Sequence, residues 1–224
     1  MGVRVSAAPP GVNETFWRLV LDEPLADATV VDAGTGTGRI ALALASLCRR
    51  VVGIERDAAL VDEARKRAAA GGIVNVDFAV ADADALDDFR RIDGVTVEPD
   101  LITAHFFLSD RLVETAARTL CAGRALVLFG FHVDHWRETE RRSRFAYDEE
   151  RLRRLFAQHG FVVEHLAVET EVQEFRSLEE ALAGAVALED KWRADGRWFR
   201  YIRFLEDGGR TLTRSHVVAK ARRS

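Results

Sequence analysis

Short apolar runs alternate along this chain with longer stretches in which apolar residues recur three and four positions apart. The first pattern predicts buried strands and the second amphipathic helices. Ala28–Asp32 reads as a strand ending in a glycine-rich turn from Gly34 to Gly38, and an Ala- and Leu-rich helix follows from Arg39 to about Cys48. The alternation repeats with a second strand at Arg50–Glu55 and a helix at Ala58–Ala70, stopped by Gly71 and Gly72. Val76–Val80, Asp100–Ala104 and Arg124–Gly130 predict strands three to five, with a helix over Asp110–Leu120. Apolar strands joined through helices imply βαβ crossovers and a parallel sheet covered on both faces.

The flanks read differently. Asn13 is placed to cap a short helix carrying Phe16, Leu19 and Val20, so residues 1–27 form a helical lead-in. Beyond Phe131 the stretch His132–Tyr147 is polar and arginine-rich, with Arg137, Arg141, Arg142 and Arg144. A helix over Asp148–His159, a sixth strand over Phe161–Val168, a helical stretch from Ser177 to about Asp195 and a last strand over Arg210–Ala219 complete the pattern. Residues 170–209 exceed an ordinary connection and are expected to form a helical insertion, either a substrate lid or an interface. The whole chain, 1–224, is read as one domain.

Composition narrows the partners. The formal net charge of −4 supplies no global basic field for nucleic acid, although a local patch stays open. Cys48 and Cys121 lie far apart in apolar helical surroundings, which suggests neither a disulfide framework nor a metal site. No apolar run is long enough to span a bilayer, and none resembles a signal peptide, so a cytoplasmic location without membrane contact is expected.

The candidate chemistry begins at Val30–Arg39, Val-Val-Asp-Ala-Gly-Thr-Gly-Thr-Gly-Arg. Glycines at 34, 36 and 38 allow a sharp strand-to-helix turn and a close approach by a ligand. Ligands of open α/β sheets bind beyond the carboxyl ends of the strands, where this turn falls. The glycines alone do not choose the ligand, because Gly36, Gly38 and Ala41 also satisfy a shifted dinucleotide pattern. The acids tip the balance. Asp32 would repel a pyrophosphate and attract the ammonium of an amino-acid tail, directly or through water. Glu55 ends strand two, where it would accept from ribose hydroxyls, and Asp82 follows strand three, where it would accept from an adenine amino group. Asp84 is a rival for the same position.

Asp32–Gly38, Glu55 and the Ala81-Asp82-Ala83 step together resemble the class I S-adenosylmethionine (SAM)-dependent methyltransferases, over roughly Val30–Phe131. The resemblance implies SAM as cofactor and a doubly wound, seven-stranded, mostly parallel sheet. Its last strand would run antiparallel between strands five and six, a slot that Arg210–Ala219 fits. It implies that Gly34, Thr35, Gly36 and Gly38 cradle the methionine and ribose portions, that Glu55 holds the ribose and that Asp82 and the Ala83 backbone meet the adenine. Asp32, Ala33, Arg56 and His105 are counted with them as cofactor-binding positions.

Methyl transfer is a direct displacement that needs alignment and exclusion of water more than a base, so no catalytic residue is assigned. Thr103-Ala-His-Phe-Phe-Leu108, after strand four, supplies the acceptor-side candidates. It lacks the Asn/Asp-Pro-Pro-Tyr/Phe type motif of some amino-methylating branches. His105 could be a base, a cofactor neighbour or a polar residue at a helix entry. His132, His135 and Trp136 lie just past strand five. A small-molecule acceptor is the preferred reading. The alternatives are RNA or protein methylation, an NAD-dependent oxidoreductase and a SAM-binding module without catalysis.

Overall fold

In the computed structural model, which describes residues 7–224, the expected alternation becomes α1 (Glu14–Leu21), β1 (Thr29–Ala33), α2 (Arg39–Ala45), β2 (Arg50–Glu55), α3 (Ala58–Ala70) and β3 (Val76–Val80). After a small hairpin of β4 (Arg91–Ile92) and β5 (Val95–Thr96) come β6 (Leu101–His105), α4 (Asp110–Thr119) and β7 (Ala125–His132). The remainder is β8 (Ala146–Tyr147), α5 (Glu149–Gln158), β9 (Phe161–Glu174), α6 (Leu178–Ala185), α7 (Glu189–Asp195), α8 (Arg197–Glu206) and β10 (Thr211–Arg223). One-turn 3-10 helices stand at Arg137–Thr139 and Val186–Leu188. Among the described residues no helix is long and apolar enough to cross a membrane.

The strands order as β3-β2-β1-β6-β7-β10-β9, with β8 pairing beside β7. The ladders β1–β2, β1–β6, β2–β3 and β6–β7 are parallel. β10 runs antiparallel: its end meets the beginnings of β7 and β9 through Arg223 N–H to Arg124 O and Ser224 N–H to Gly160 O. The doubly wound sheet with a reversed last strand is therefore present.

The chain divides into two compact units. The first takes in the described residues to Gly130 together with Glu149–Ala167 and Val218–Ser224. Its core joins α1, α2 and α3 to one sheet face through Phe16, Leu44, Val61, Val30, Val51 and Leu101. The alternate strand residues Val31, Val52, Ile102 and Leu126 are fully buried too, so the opposite face is also covered. α4 and α5, linked by Arg151 to Asp110, bury Leu112, Ala116, Leu152 and Phe156 outside that first cluster.

The second unit comprises Phe131–Asp148 and Val168–Val217. Its core is aromatic, with Phe175, Trp192, Trp198 and Tyr201 around Leu205 and Leu212. The expected insertion at 170–209 falls wholly inside it. Three differences from the sequence reading stand out. The helical stretch after Ser177 is broken at Val186–Leu188. A further helix, α8, follows Gly196, whose φ of 83° stops α7. β9 and β10 run past their expected ends, to Glu174 and Arg223.

Candidate functional site

The carboxyl ends of β1, β2, β3 and β6 gather the candidate residues at one edge of the parallel ladders. Gly34, Gly36 and Gly38 all have positive φ, at 71°, 55° and 81°. Gly34 and Thr35 donate their N–H groups to Ile54 O, each at 2.9 Å, which binds the turn to the end of β2. A Cβ on Gly34 would lie 2.7 Å from Phe107 Cβ, so this position must be glycine for packing as well as for φ. Gly36 differs. Nothing lies within 4 Å of a Cβ built there, so that face of the loop is open to an incoming molecule.

Asp32 lies beneath the loop, not at its mouth. It is 1% exposed, and its two oxygens accept from Thr35 Oγ1 at 2.6 Å and Thr103 Oγ1 at 3.0 Å. The parallel register pairs Asp32 with Thr103, which brings the second threonine into reach. Burial pushes the Asp32 carboxyl up to about 6, against the lowering effect of the two threonine hydrogen bonds. Both Asp32 oxygens are thus engaged by threonine hydroxyls beneath the loop. The carboxylate orders the loop from below through Thr35.

Glu55 has a double attachment. Oε1 accepts from the N–H groups of Arg56 at 2.9 Å and Asp57 at 3.1 Å, and Oε2 accepts from Gly36 N–H at 3.1 Å. A carboxylate oxygen accepts about two hydrogen bonds, so Oε2 keeps one lone pair beside the open face of Gly36. Binding both hydroxyls of a ribose would require Glu55 to turn or to release a backbone partner. The Arg56 side chain is exposed.

The rivalry between the two acids after β3 resolves by their partners. Asp84 accepts from Ser109 Oγ, and Ser109 in turn caps α4 through Leu112 N–H, so Asp84 is committed to structure. Asp82 is exposed, with Oδ1 accepting Asp84 N–H at 3.0 Å, and Ala83 beside it is buried. Of the two acids, Asp82 is the more exposed.

His105, the last residue of β6, is half-buried and engaged. Its Nε2 accepts Asn13 N–H at 3.2 Å, and its ring stacks on Phe129 at 4.7 Å and meets Phe16 and Phe106 edge-on. Phe106 follows with φ 62° and is 48% exposed, an unusual backbone conformation for an aromatic residue. Sequence reasoning missed the Thr103 bond to Asp32, the Asn13 link to His105 and the Phe107 contact at Gly34, because each depends on strand register or chain return.

His132 and His135 lie in the second unit. His132 Nδ1 and Ser215 Oγ are 3.0 Å apart, and His135 Nδ1 lies 3.0 Å from Ser215 O and 3.1 Å from Ser215 N. Burial drives His135 down to about 3, with the neighbouring His216 adding to the effect. Among the described residues no group of three or more His, Cys, Asp or Glu could hold a metal ion.

The donor set fits an adenosyl compound: an open glycine face, a carboxylate with one remaining acceptor site beside it, and an exposed acid one strand further on. Comparisons with known proteins agree. Residues 30–123 match the family model for a methyltransferase domain. A putative methyltransferase from Bacillus halodurans superposes with a TM-score of 0.65 at 17% identity, covering 94% of this chain and 99% of that one. The magnesium protoporphyrin IX methyltransferase of Synechocystis, solved with bound S-adenosylhomocysteine, superposes at 0.59 with 18% identity, over 94% of this chain and 80% of its own. An uncharacterized RNA methyltransferase of Gloeobacter violaceus is 43% identical over 74 residues, 33% of this chain. The matched stretch spans only 16% of that relative's length. Residues 30–123 therefore match a methyltransferase domain, and the fold of the chain is the one shared by these methyltransferases.

Proposed function

We propose that this chain transfers the methyl group of SAM to a small-molecule acceptor, and that the cofactor lies against the open face of Gly36. The observation that carries this reading is the pairing of that open face with the remaining acceptor site on Glu55 Oε2. In this assignment Gly34, Thr35, Gly36 and Gly38, with Ala33 at their base, form the cradle. Glu55 and Arg56 face the ribose, and Asp82 with Ala83 faces the adenine. Asp32 is a positioning residue that acts through Thr35.

Bound SAM supplies an electrophilic methyl carbon on a sulfonium. The chain's part is to hold the loop, align the acceptor and exclude water. His105 fixes the start of α1 to the end of β6 through Asn13, so it positions the cofactor edge, and no general base is assigned. Phe106, half exposed at that edge, offers an apolar surface suited to an organic acceptor. The net charge of −4 favours a small molecule over a polyanion.

RNA methylation is the second reading, because the Gloeobacter relative is named for it. The two readings separate by methyl incorporation from labelled SAM into fractionated small molecules and total RNA, and by the salt dependence of RNA binding. The cofactor assignment is tested by calorimetry with SAM, S-adenosylhomocysteine and NAD. The first two bind, NAD does not, and Gly36→Val weakens SAM by about tenfold or more by filling the open face. Equal affinity of the variant and parent would overturn the assignment.

A further inference from the structure

The second unit contains a groove of about 700 Å³ between the 3-10 turn Arg137–Thr139 and α8. Glu138, on that turn, lines it while being only 7% exposed. Its Oε1 accepts from Thr213 Oγ1 at 2.5 Å and Thr211 Oγ1 at 3.2 Å. Its Oε2 is buried and has no hydrogen-bond partner among the described residues. A buried carboxylate oxygen without a donor is costly, and native proteins leave few of them. The two threonines would be served equally by a neutral acceptor, so they do not account for a second, unpaired oxygen.

The rest of the groove shows what would complete it. α8 lines it with Phe199, Arg200, Arg203 and Phe204, at spacings of four that place 199 with 203 and 200 with 204. Phe199 is 63% exposed, among the most exposed of the large apolar side chains. Arg200 lies 3.8 Å from Glu140, whereas Arg137 and Arg203 have no ion pair among the described residues. Asp207 is the remaining charge on the lining. The groove is therefore lined by a residue with one unpaired buried oxygen, by two guanidinium groups without an ion pair among the described residues, and by an aromatic flank.

We infer that this groove binds a small zwitterion of the aromatic amino-acid class. The ammonium donates to Glu138 Oε2, the acid group is held by Arg203 and Arg137, and the ring lies beside Phe199. This site lies wholly within the second unit and does not depend on how the cofactor is held.

L-phenylalanine, phenethylamine and phenylacetate, titrated into the full chain by calorimetry or ligand-observed NMR, divide the interaction into its parts. L-phenylalanine is expected to bind more tightly than either fragment. Glu138→Gln, which keeps the shape, weakens L-phenylalanine and phenethylamine about tenfold or more and leaves phenylacetate unchanged. Arg203→Ala, on the exposed face of α8, weakens L-phenylalanine and phenylacetate and spares phenethylamine. If Glu138→Gln does not fold, Arg203→Ala and the ranking of the three probes decide. No binding of L-phenylalanine at about 10 mM, or binding that neither substitution alters, overturns the inference.

Discussion

The two units differ in how their buried acids are satisfied. In the first, buried and half-buried acids are satisfied by backbone and hydroxyl donors: Asp32 by two threonines, Glu55 by three N–H groups, Asp84 by Ser109. The loop they hold is built from backbone donors and short hydrogen bonds. In the second, Trp192 Nε1 within the aromatic core and His135 Nε2 and Glu138 Oε2 outside it are buried without a hydrogen-bond partner among the described residues, a state shared in the first unit by His165 Nε2. A scaffold that positions a common cofactor can be built from glycines and short hydrogen bonds. In the second unit Glu138 keeps one buried oxygen without a donor among the described residues, and the proposed groove site rests on it.

The comparison is tested most severely by its cores. Trp192 is fully buried against Trp136 and Tyr201, so Trp192→Ala should cost about 3–5 kcal/mol. Hydrogen exchange should show the loss of protection concentrated in residues 175–212. Because the indole N–H is unpaired, Trp192→Phe should cost much less, and an equal cost would show that the nitrogen has a partner after all. Gly34→Val in the first unit combines overlap with Phe107 and a left-handed backbone, together about 2–5 kcal/mol. Calorimetry should show SAM binding lost with it.

Acid then separates the units by sign. The Asp32 carboxyl is raised from its ordinary 3.8 to about 6, so the native state retains a proton that the unfolded chain releases. That contribution is present below 3.8, is lost as pH rises to about 6, and is worth about 3 kcal/mol. His135 is lowered from 6.5 to about 3, so its contribution is present above 6.5 and is lost as pH falls toward 3. Denaturant melts of Asp32→Asn and His135→Gln, each compared with the parent between these limits, should show pH slopes that change in opposite directions. Slopes that change in the same direction would refute the contrast.

The smallest expected effect is at Glu55. Glu55→Ala removes the acceptor proposed for the ribose and the tether of Gly36, at about 1.5–3 kcal/mol, so the Kd for SAM should rise by about 10- to 100-fold. Glu55→Gln should recover part of the loss, since an amide oxygen still accepts one donor.

The first unit was largely legible. Its five leading strands lie where the apolar runs placed them, because strands buried on both faces must be apolar throughout. The glycine turn announced itself by composition. The second unit was less legible. Arg197–Glu206 is amphipathic, but only the stop at Gly196 separates it from α7. The 3-10 turn bearing Glu138 had no signal beyond an arginine-rich stretch. Asp32 was read as the mouth of the site, yet lies under it, since a strand-end acid can face either way.

What the amino-acid order determined alone was the alternation of elements, the cofactor loop and the acids at successive strand ends, all of which arise from local periodicity and backbone freedom. Only the folded chain decided which acids remain available. Parallel register brought Thr103 to Asp32, helix capping claimed Asp84 for Ser109, and the return of β10 put Thr211 and Thr213 against one oxygen of Glu138 and not the other. Hydrogen-bond satisfaction depends on neighbours distant in sequence, and no local pattern encodes it.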